Sequence, residues 1–282
     1  LSRIKVEKIN KISGTVLIIA GSDPSGGAGI QADLKTVTSL GAYGMTAITA
    51  LTVQNTRGVS NILDIPVSVV KEQIDACLSD INVDTIKVGM MHNSKLISAV
   101  YESLKKHYII NNNKIKIVLD PVMVAKGGHK LLQDDAINSL KNFIVKCNPI
   151  ITPNIPEVEI LTDIKINSLS DMENAGKQLL AMGASDVILK GGHMETSIIR
   201  DMLISSHDIS YINTKKIDTK HTHGTGCTMS SALAAYLAQK IQIKIAFQKA
   251  HEYVQKAIMS APKLGKGNGP INHCHGINLR SN

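Results

Sequence analysis

TVLIIAGSDPSGGAG, residues 15–29, joins a continuously apolar run to a loop of glycine and small polar residues. Runs without polar alternation are typical of parallel strands that helices cover on both faces. Similar runs recur along the chain at 45–53, 85–88, 116–119, 150–152 and 186–189. The segments between them space apolar residues as helices do, at 31–40, 69–81, 94–107, 134–144 and 170–182. This alternation predicts an α/β fold with a mostly parallel sheet.

Two further features complete the predicted fold. In the segment 198–213 a polar turn separates two apolar runs, which is typical of an antiparallel hairpin near a sheet edge. The segments 228–238 and 243–261 then predict two long helices. Because no linker, repeat or low-complexity block interrupts the chain, we expect one domain over residues 14–282, preceded by a basic extension at 1–13.

The composition excludes several classes of protein. The 282 residues are 43% hydrophobic, enough for a large core, and no apolar run reaches the roughly 20 residues of a membrane span. The first residues lack the apolar core of a signal peptide, which favours a cytoplasmic location. The four cysteines show neither CxxC spacing nor the density of a disulfide framework, so we expect reduced thiols.

The net charge of +8 does not indicate a nucleic-acid partner. Of the 31 basic residues 27 are lysines scattered along the chain, aromatic residues make up 3%, and Trp is absent. Base stacking needs aromatic platforms and groove recognition favours Arg. A positive charge suits anionic small molecules equally well, and we expect such a partner instead.

Polar and glycine-rich segments follow six of the predicted strands. In open α/β sheets ligands bind outside the carboxyl ends of the strands, where these segments fall. They are residues 21–29, 54–56, 89–91, 120–123, 153–157 and 190–193. Their placement predicts a binding site along the carboxyl edge of the sheet.

The segment HGTGC, residues 223–227, carries the most informative chemistry. Its glycines allow consecutive amides to converge on an anion, and the first-turn amides of the following helix add unpaired donors. A glycine-rich loop that only caps the helix explains the local pattern equally well. Because the segment ends in Cys227, phosphate binding and thiol chemistry are possible together.

Two familiar nucleotide-binding motifs do not apply. Residues 27–32 fit G-x-G-x-x-A, but a dinucleotide site needs an acidic residue about 20 positions on, and none lies between Asp33 and Asp64. No GxxxxGK[ST] loop occurs either. The loop 21–29 is therefore interpreted as a substrate-side loop. Asp33, one helical turn beyond it, is either a hydrogen-bond acceptor for substrate or a solvated helix charge.

Several side chains after the predicted strands suit a ligand site, each with a structural alternative. Gln54 offers a donor and an acceptor to a heterocycle edge, or is a surface-turn amide. Met90 lines a flat apolar pocket, or belongs to the core. Asn154 and Glu157 suit Mg²⁺ beside phosphate, or form a helix N-cap with a capping box. Asp120 is a second carboxylate candidate.

Two glycine-rich segments also carry a lysine. KGG at 190–192 lets the backbone pass close to a ligand, and GKGNGP at 265–270 is a loop that could cover phosphates. A solvated charge and a surface turn are the corresponding structural alternatives. Local sequence alone does not separate the two interpretations.

Taken together, the motifs resemble one family. GSDPSGGAGIQADLKT at 21–36, with QNT at 54–56, TPN at 152–154, KGGH at 190–193 and THGTGC at 222–227, is similar to the bacterial hydroxymethylpyrimidine/phosphomethylpyrimidine kinases of thiamin biosynthesis. The similarity runs from about residue 16 to residue 275. It implies a ribokinase-like three-layer α/β/α sandwich with a mostly parallel central sheet and a small antiparallel edge. It also implies ATP as cofactor and, commonly, a homodimer.

The resemblance implies two successive transfers from ATP, with Mg²⁺. The first goes to the hydroxymethyl oxygen of 4-amino-5-hydroxymethyl-2-methylpyrimidine, and the second to the resulting monophosphate. Matching positions imply four sets of site residues. They are Gly224, Thr225, Gly226 and Cys227 for the anion hole and catalysis; Gly21, Asp33, Gln54 and Met90 for the pyrimidine; Lys190, Gly192, Thr222 and Lys266 for the nucleotide; and Asp120, Asn154 and Glu157 for Mg²⁺.

Cys227 stands where most ribokinase-like sugar kinases have an aspartate base. A thiol ordinarily titrates near ~8.5, and a helix N-terminus lowers that pKa, which favours a thiolate. Phosphoryl transfer has a loose transition state, so we expect positioning and charge neutralisation to outweigh the base. A pyridoxal kinase of the same fold is the nearest alternative function. A catalytically silent nucleotide- or vitamin-binding protein is a second.

Overall fold

The computed structural model describes residues 12–110, 112–125, 128–192 and 198–277. Most of the predicted extension at 1–13, and His193 of the KGGH motif, lie outside the described residues. The strands are β1 (Thr15–Ser22), β2 (Tyr43–Asn55), β3 (Gly58–Asp64), β4 (Thr85–Val88), β5 (Lys116–Leu119), β6 (Ile150–Ile151), β7 (Asp186–Leu189), β8 (Ile198–Ile204) and β9 (Ile209–Lys215). The helices are α1 (Gly29–Ser39), α2 (Val67–Asp80), α3 (Ser94–Lys106), α4 (Ile137–Cys147), α5 (Ile155–Thr162), α6 (Leu169–Met182), α7 (Thr225–Ala238) and α8 (Ile243–Met259).

One nine-stranded sheet has the order β3-β2-β1-β4-β5-β6-β7-β8-β9. The pairs from β2 to β7 are parallel, while β8 and β9 continue the sheet as an antiparallel hairpin. The predicted parallel sheet and edge hairpin are thus confirmed. The sequence interpretation missed β3, which pairs antiparallel with β2 at the other edge. This strand is mostly exposed and partly polar, so it lacks the apolar run used to identify the others.

The apolar run of β1 is explained by cores on both faces of the sheet. Leu17 and Ile19 pack into one core with α2 to α6, whereas Val16 and Ile18 pack into the other with α1, α7 and α8. Successive side chains of a strand point to opposite faces, so a strand covered on both sides needs apolar residues throughout. The predicted three-layer α/β/α sandwich is confirmed.

Most helices lie close to their predicted positions. The segment 134–144 contains a short 3-10 turn followed by α4. The helix predicted at 228–238 begins three residues earlier, at Thr225, so part of the HGTGC segment is helical. In the described part of the chain, no helix is both long and apolar enough to cross a membrane.

Candidate active site

A cavity of about 470 Å³ opens at the carboxyl edge of the sheet. Segments that are far apart in the sequence meet there, because the carboxyl ends of parallel strands share one edge. The predicted site residues that line it are Gly21, Gln54, Met90, Asp120, Asn154, Glu157, Lys190, Thr222, Gly224, Thr225, Gly226 and Cys227. The cavity therefore combines most residues of the four predicted sets.

The N-terminus of α7 forms one wall of this cavity. Gly224 is the N-cap with φ of +84°, and its carbonyl accepts a 2.9 Å hydrogen bond from the Thr228 amide. A Cβ atom at Gly224 would overlap the carbonyl of Gly27, so only glycine lets the two loops approach this closely. The first-turn amides that follow have no acceptor within the helix. Helix capping and anion binding are therefore compatible here.

Cys227 lies in the first turn of α7 and contacts the cavity. The expected thiolate is wrong for this structure, because burial raises the pKa of the Cys227 thiol to about 12. Lys87 lowers this pKa by a smaller amount, and the carboxylates Asp33 and Asp120 raise it further. Loss of solvation therefore outweighs the helix N-terminus, and Cys227 is a thiol at neutral pH.

Asp33 does not line the described cavity, contrary to its predicted contact with the substrate. Its side chain is fully buried, with one oxygen 2.8 Å from Lys87 Nζ and the other 2.6 Å from Ser231 Oγ. Burial alone would lower the pKa of Lys87, but the ion pair with Asp33 raises it above its usual value. Asp33 therefore holds a protonated lysine, and it is Lys87 that reaches the cavity.

A second charged cluster lies where β5 and β7 end. Lys190 Nζ is 3.1 Å from Asp120 Oδ1, and the carboxylate of Glu157 is nearby. Burial raises the pKa of Glu157 to about 7, Lys190 lowers it, and Asp120 raises it. Burial alone would lower the pKa of Lys190, yet the two carboxylates raise it. The cluster therefore holds one buried cation between two carboxyl groups.

Asn154 and Glu157 form the capping box of α5. The Asn154 side chain accepts from the Glu157 amide at 3.0 Å, and the Glu157 carboxylate accepts from the Asn154 amide at 2.9 Å. Each of the two side chains uses one oxygen lone pair in the capping box. Both residues also line the cavity. No group of three or more His, Cys, Asp or Glu side chains suited to a metal occurs in the described residues. Asp120 and Glu157 are thus a pair of carboxylates without a third.

The loop after β1 is joined to the loop before α7 by a hydrogen bond between their side chains. His223 Nε2 lies 2.9 Å from Asp23 Oδ2, and both side chains are buried. Burial alone would raise the pKa of Asp23, but hydrogen bonds from His223 and Ser25 hold it below its ordinary range. Gln54 then lies beside His223, with 3.3 Å between Gln54 Nε2 and His223 Nε2.

Two predicted nucleotide contacts are not among the described lining residues of this cavity. Gly192 and Lys266 are both exposed, Gly192 after β7 and Lys266 in the loop that follows α8. In that loop the amide of Gly267 donates to Thr56 Oγ1 at 3.2 Å. The loop therefore packs on the QNT segment, and contacts of either residue with a nucleotide stay predictions.

Sequence reasoning missed Lys87, and it assigned no role to the side chain of His223. A signal for Lys87 was present, since it is the one charged residue in the strand TIKV. A lysine inside a strand covered on both faces must be paired, because an isolated buried charge is too costly. Its partner could not be found from sequence, since Asp33 lies 54 positions away on another element.

The three-layer fold, with the N-terminus of α7 over the carboxyl edge of a mostly parallel sheet, is that of the ribokinase-like kinases among its solved structural neighbours. Comparison with known proteins narrows the class. The family model described as phosphomethylpyrimidine kinase matches residues 23–272. The chain belongs to this family.

Named relatives agree with this assignment. The chain is 44% identical to the hydroxymethylpyrimidine/phosphomethylpyrimidine kinase of Bacillus subtilis, over 91% of this chain and 93% of that protein. It is 45% identical to the thiamine biosynthesis bifunctional protein ThiED of Geobacter sulfurreducens, over 92% of this chain and 52% of that protein, so it spans about half of that relative. The pyridoxal kinase of Staphylococcus aureus in complex with ADP superimposes with a TM-score of 0.85 at 32% identity, covering 95% of this chain and 96% of that one.

Proposed function

We propose that this protein transfers the γ-phosphoryl group of ATP to 4-amino-5-hydroxymethyl-2-methylpyrimidine and then to the resulting monophosphate. The observation that carries the proposal is that one cavity is lined both by Gln54 and Met90 and by the N-terminus of α7 with Cys227. In the proposed function, Gln54 and Met90 bind the heterocycle, and the N-terminus of α7 binds the phosphates. The pyrimidine kinase names of the relatives support the choice of substrate.

The proposed chemistry relies on positioning more than on a strong base. The acceptor oxygen forms a bond to the γ-phosphorus while the bond to the ADP oxygen breaks. In the second transfer the acceptor is a phosphate oxygen of the monophosphate. In a loose transition state the hydroxyl proton of the first transfer leaves late and passes to an oxygen of the transferred phosphoryl group, so little basicity is needed. A thiol with a pKa of about 12 matches this requirement, because the Cys227 sulfur accepts a weak hydrogen bond that orients the hydroxyl. The amides of α7 and the ammonium of Lys87 neutralise the developing charge.

Mg²⁺ suits the cluster of Asp120 and Glu157. Burial and the neighbouring Asp120 raise the pKa of Glu157 to about 7, and a divalent cation would relieve the repulsion between the two carboxylates. Mg²⁺ commonly uses only one or two carboxylates together with substrate phosphates and waters, so a third protein carboxylate is not required. When bound, the ion would neutralise charge on the transferred phosphates. Asn154 would orient Glu157 through the capping box.

Pyridoxal kinase activity is the second candidate, favoured by the structural similarity to the S. aureus enzyme. The higher sequence identity of the pyrimidine kinases places it second. Steady-state kinetics with both alcohols separate the two functions. We expect the larger kcat/KM for the pyrimidine, and a clear preference for pyridoxal would overturn the first proposal.

The direct test is incubation with ATP, Mg²⁺ and the hydroxymethylpyrimidine, followed by mass spectrometry. We expect monophosphate first and diphosphate later, with ADP formed in step. The Gly224→Ala variant is the matched control, because it removes the close approach of the two loops without changing a charge. Wild-type protein that forms neither phosphate would refute the proposal.

We also propose a homodimer and a cytoplasmic location. Leu51 on β2 pairs with Leu63 on β3, and both side chains are exposed near the sheet edge, as is Val53. Exposed apolar side chains on the edge strand and on its neighbour support association. Light scattering after size exclusion tests the dimer: a monomer at all concentrations would contradict it.

A further inference from the structure

The carboxylate of Asp23 accepts four hydrogen bonds from its own loop. One oxygen accepts from the amide and the hydroxyl of Ser25, at 2.9 and 2.7 Å. The other accepts from the amides of Ala28 and Gly27, at 2.9 and 3.2 Å. Asp23 is only 2% exposed, and four donors around a buried carboxyl group favour its ionised form. Asp23 is therefore an acceptor only.

This fixes the proton on His223. Its Nε2 atom lies 2.9 Å from Asp23 Oδ2, and an ionised carboxylate has no proton to offer. A lone pair on Nε2 would face a negative oxygen at that distance, which is repulsive. His223 Nε2 must therefore carry a hydrogen, whether or not Nδ1 is also protonated.

The proton on Nε2 in turn constrains Gln54. The two ends of its amide lie 3.1 Å from Thr52 Oγ1 and 3.3 Å from His223 Nε2. The Thr52 hydroxyl also lies 2.9 Å from the carbonyl of Ser22, which can only accept. Its single hydrogen is used there, so Thr52 can only accept from Gln54. The amide thus has an acceptor on one side and a donor on the other.

Only one orientation of the amide satisfies both neighbours. If the Gln54 nitrogen faces His223, two donors face each other. The Gln54 oxygen then faces the Thr52 hydroxyl, whose hydrogen is already donated to the carbonyl of Ser22. A half turn about Cγ–Cδ exchanges the two ends without moving any other atom. The oxygen then shares the single Nε2 hydrogen of His223 with Asp23 Oδ2 in a three-centre hydrogen bond, and the nitrogen donates to Thr52. One N–H and one oxygen lone pair remain for a ligand.

We infer that His223 is a positioning residue that fixes the orientation of the Gln54 amide and thereby selects a 4-aminopyrimidine edge over its 4-oxo counterpart. The inference rests on the proposed function. An aminopyrimidine edge places a ring-nitrogen acceptor beside an amino donor. The 4-oxo analogue reverses this order, with an N–H beside a carbonyl. Binding it would require the half turn that His223 and Thr52 oppose.

The test measures binding, without ATP, of the 4-amino and 4-oxo hydroxymethylpyrimidines by calorimetry. We expect the wild type to prefer the amino compound by at least about tenfold, the effect of one mispaired hydrogen bond. His223→Leu removes the donor, so the preference should fall to about threefold or less. His223→Gln keeps an N–H near the Nε2 position and should restore it. Thr52→Val removes the other neighbour and should also lower the preference.

The two variants at position 223 have similar bulk, so a loss of packing alone would not separate them. An unchanged preference in His223→Leu, or an equal loss in His223→Gln, would overturn the inference. If circular dichroism shows that His223→Leu does not fold, Thr52→Val provides the test instead. An unchanged preference for the amino compound in Thr52→Val would then overturn the inference. A wild type that shows the preference but forms no phosphorylated product would refute the proposed function and leave this inference intact.

Discussion

Lys87 Nζ lies 2.8 Å from Asp33 Oδ2, and both side chains are completely buried. Ser231 donates to the second Asp33 oxygen, and Lys87 also contacts the cavity that contains Cys227. A strand lysine and a helix aspartate thus place a fixed positive charge beneath the proposed phosphate site. Ion pairs of this kind are sensitive to the loss of either partner.

Removal of one partner should destabilise the protein strongly. Asp33→Asn leaves the Lys87 ammonium buried without a counter-charge, and we expect the free energy of unfolding to fall by about 3 kcal/mol or more. The double variant Asp33→Asn/Lys87→Met buries no charge and should lose less than Asp33→Asn alone. Urea denaturation of both variants measures the difference. A single variant as stable as the wild type would show that the pair does not hold the fold.

Cys227 should react slowly with alkylating reagents. Because burial raises the pKa of its thiol to about 12, only a small fraction is thiolate at neutral pH. The exposed Cys274 is the internal control in the same molecule. Peptide mapping after iodoacetamide treatment at near-neutral pH should find Cys274 modified first, with Cys227 gaining reactivity as the pH rises. Equal rates at the two positions would contradict the raised pKa.

The backbone around Gly224 should matter at least as much as the thiol. A Cβ atom there would overlap the Gly27 carbonyl, so Gly224→Ala must displace the loop or the start of α7. We expect kcat to fall by roughly 10²-fold or more, and by at least as much as in Cys227→Ser. Gly41→Ala is the control, since Gly41 has φ of +80° but open space around it. It should lose about 1 kcal/mol of stability and keep its kcat.

Glu157 should make stability depend on pH. Its pKa is about 7 in the folded protein against 4.5 ordinarily, so the folded state binds more protons between these values. The free energy of unfolding should therefore fall as pH rises through this window, by up to about 3 kcal/mol. Glu157→Gln retains a capping box but cannot ionise, so it should lack this decline. Urea denaturation across the window compares the two, and parallel curves would rule out a raised pKa.

The positions of most helices and of the parallel strands were accessible from the sequence. The run at β1 is apolar throughout because each face of the strand meets a separate core, and this leaves a pattern that a single sequence displays. The exposed edge strand β3 has no such pattern and was missed. The start of α7 was placed three residues late, because Thr225-Gly226-Cys227 carries no helical periodicity.

The side-chain partners could not be predicted in the same way. An aspartate at position 33 looks the same in the sequence whether it contacts substrate or pairs with Lys87. Only the tertiary structure, which brings its carboxylate to 2.8 Å from Lys87 Nζ, distinguishes the two. The same holds for the pKa of Cys227. A helix N-terminus is visible in the sequence, whereas the extent to which protein excludes water from the thiol is not.

The sequence by itself determined the fold class, the strand ends that carry the site, and the HGTGC and N-x-x-E segments, because these depend on local periodicity and on residue chemistry. The tertiary structure alone decided which buried charges are paired and which thiol loses its solvation. It also decided how Asp23, His223 and Gln54 form one chain of hydrogen bonds. Hydrogen bonds and desolvation depend on distances between atoms, and residues as far apart in the chain as Asp23 and His223, 200 positions, meet at this edge of the sheet.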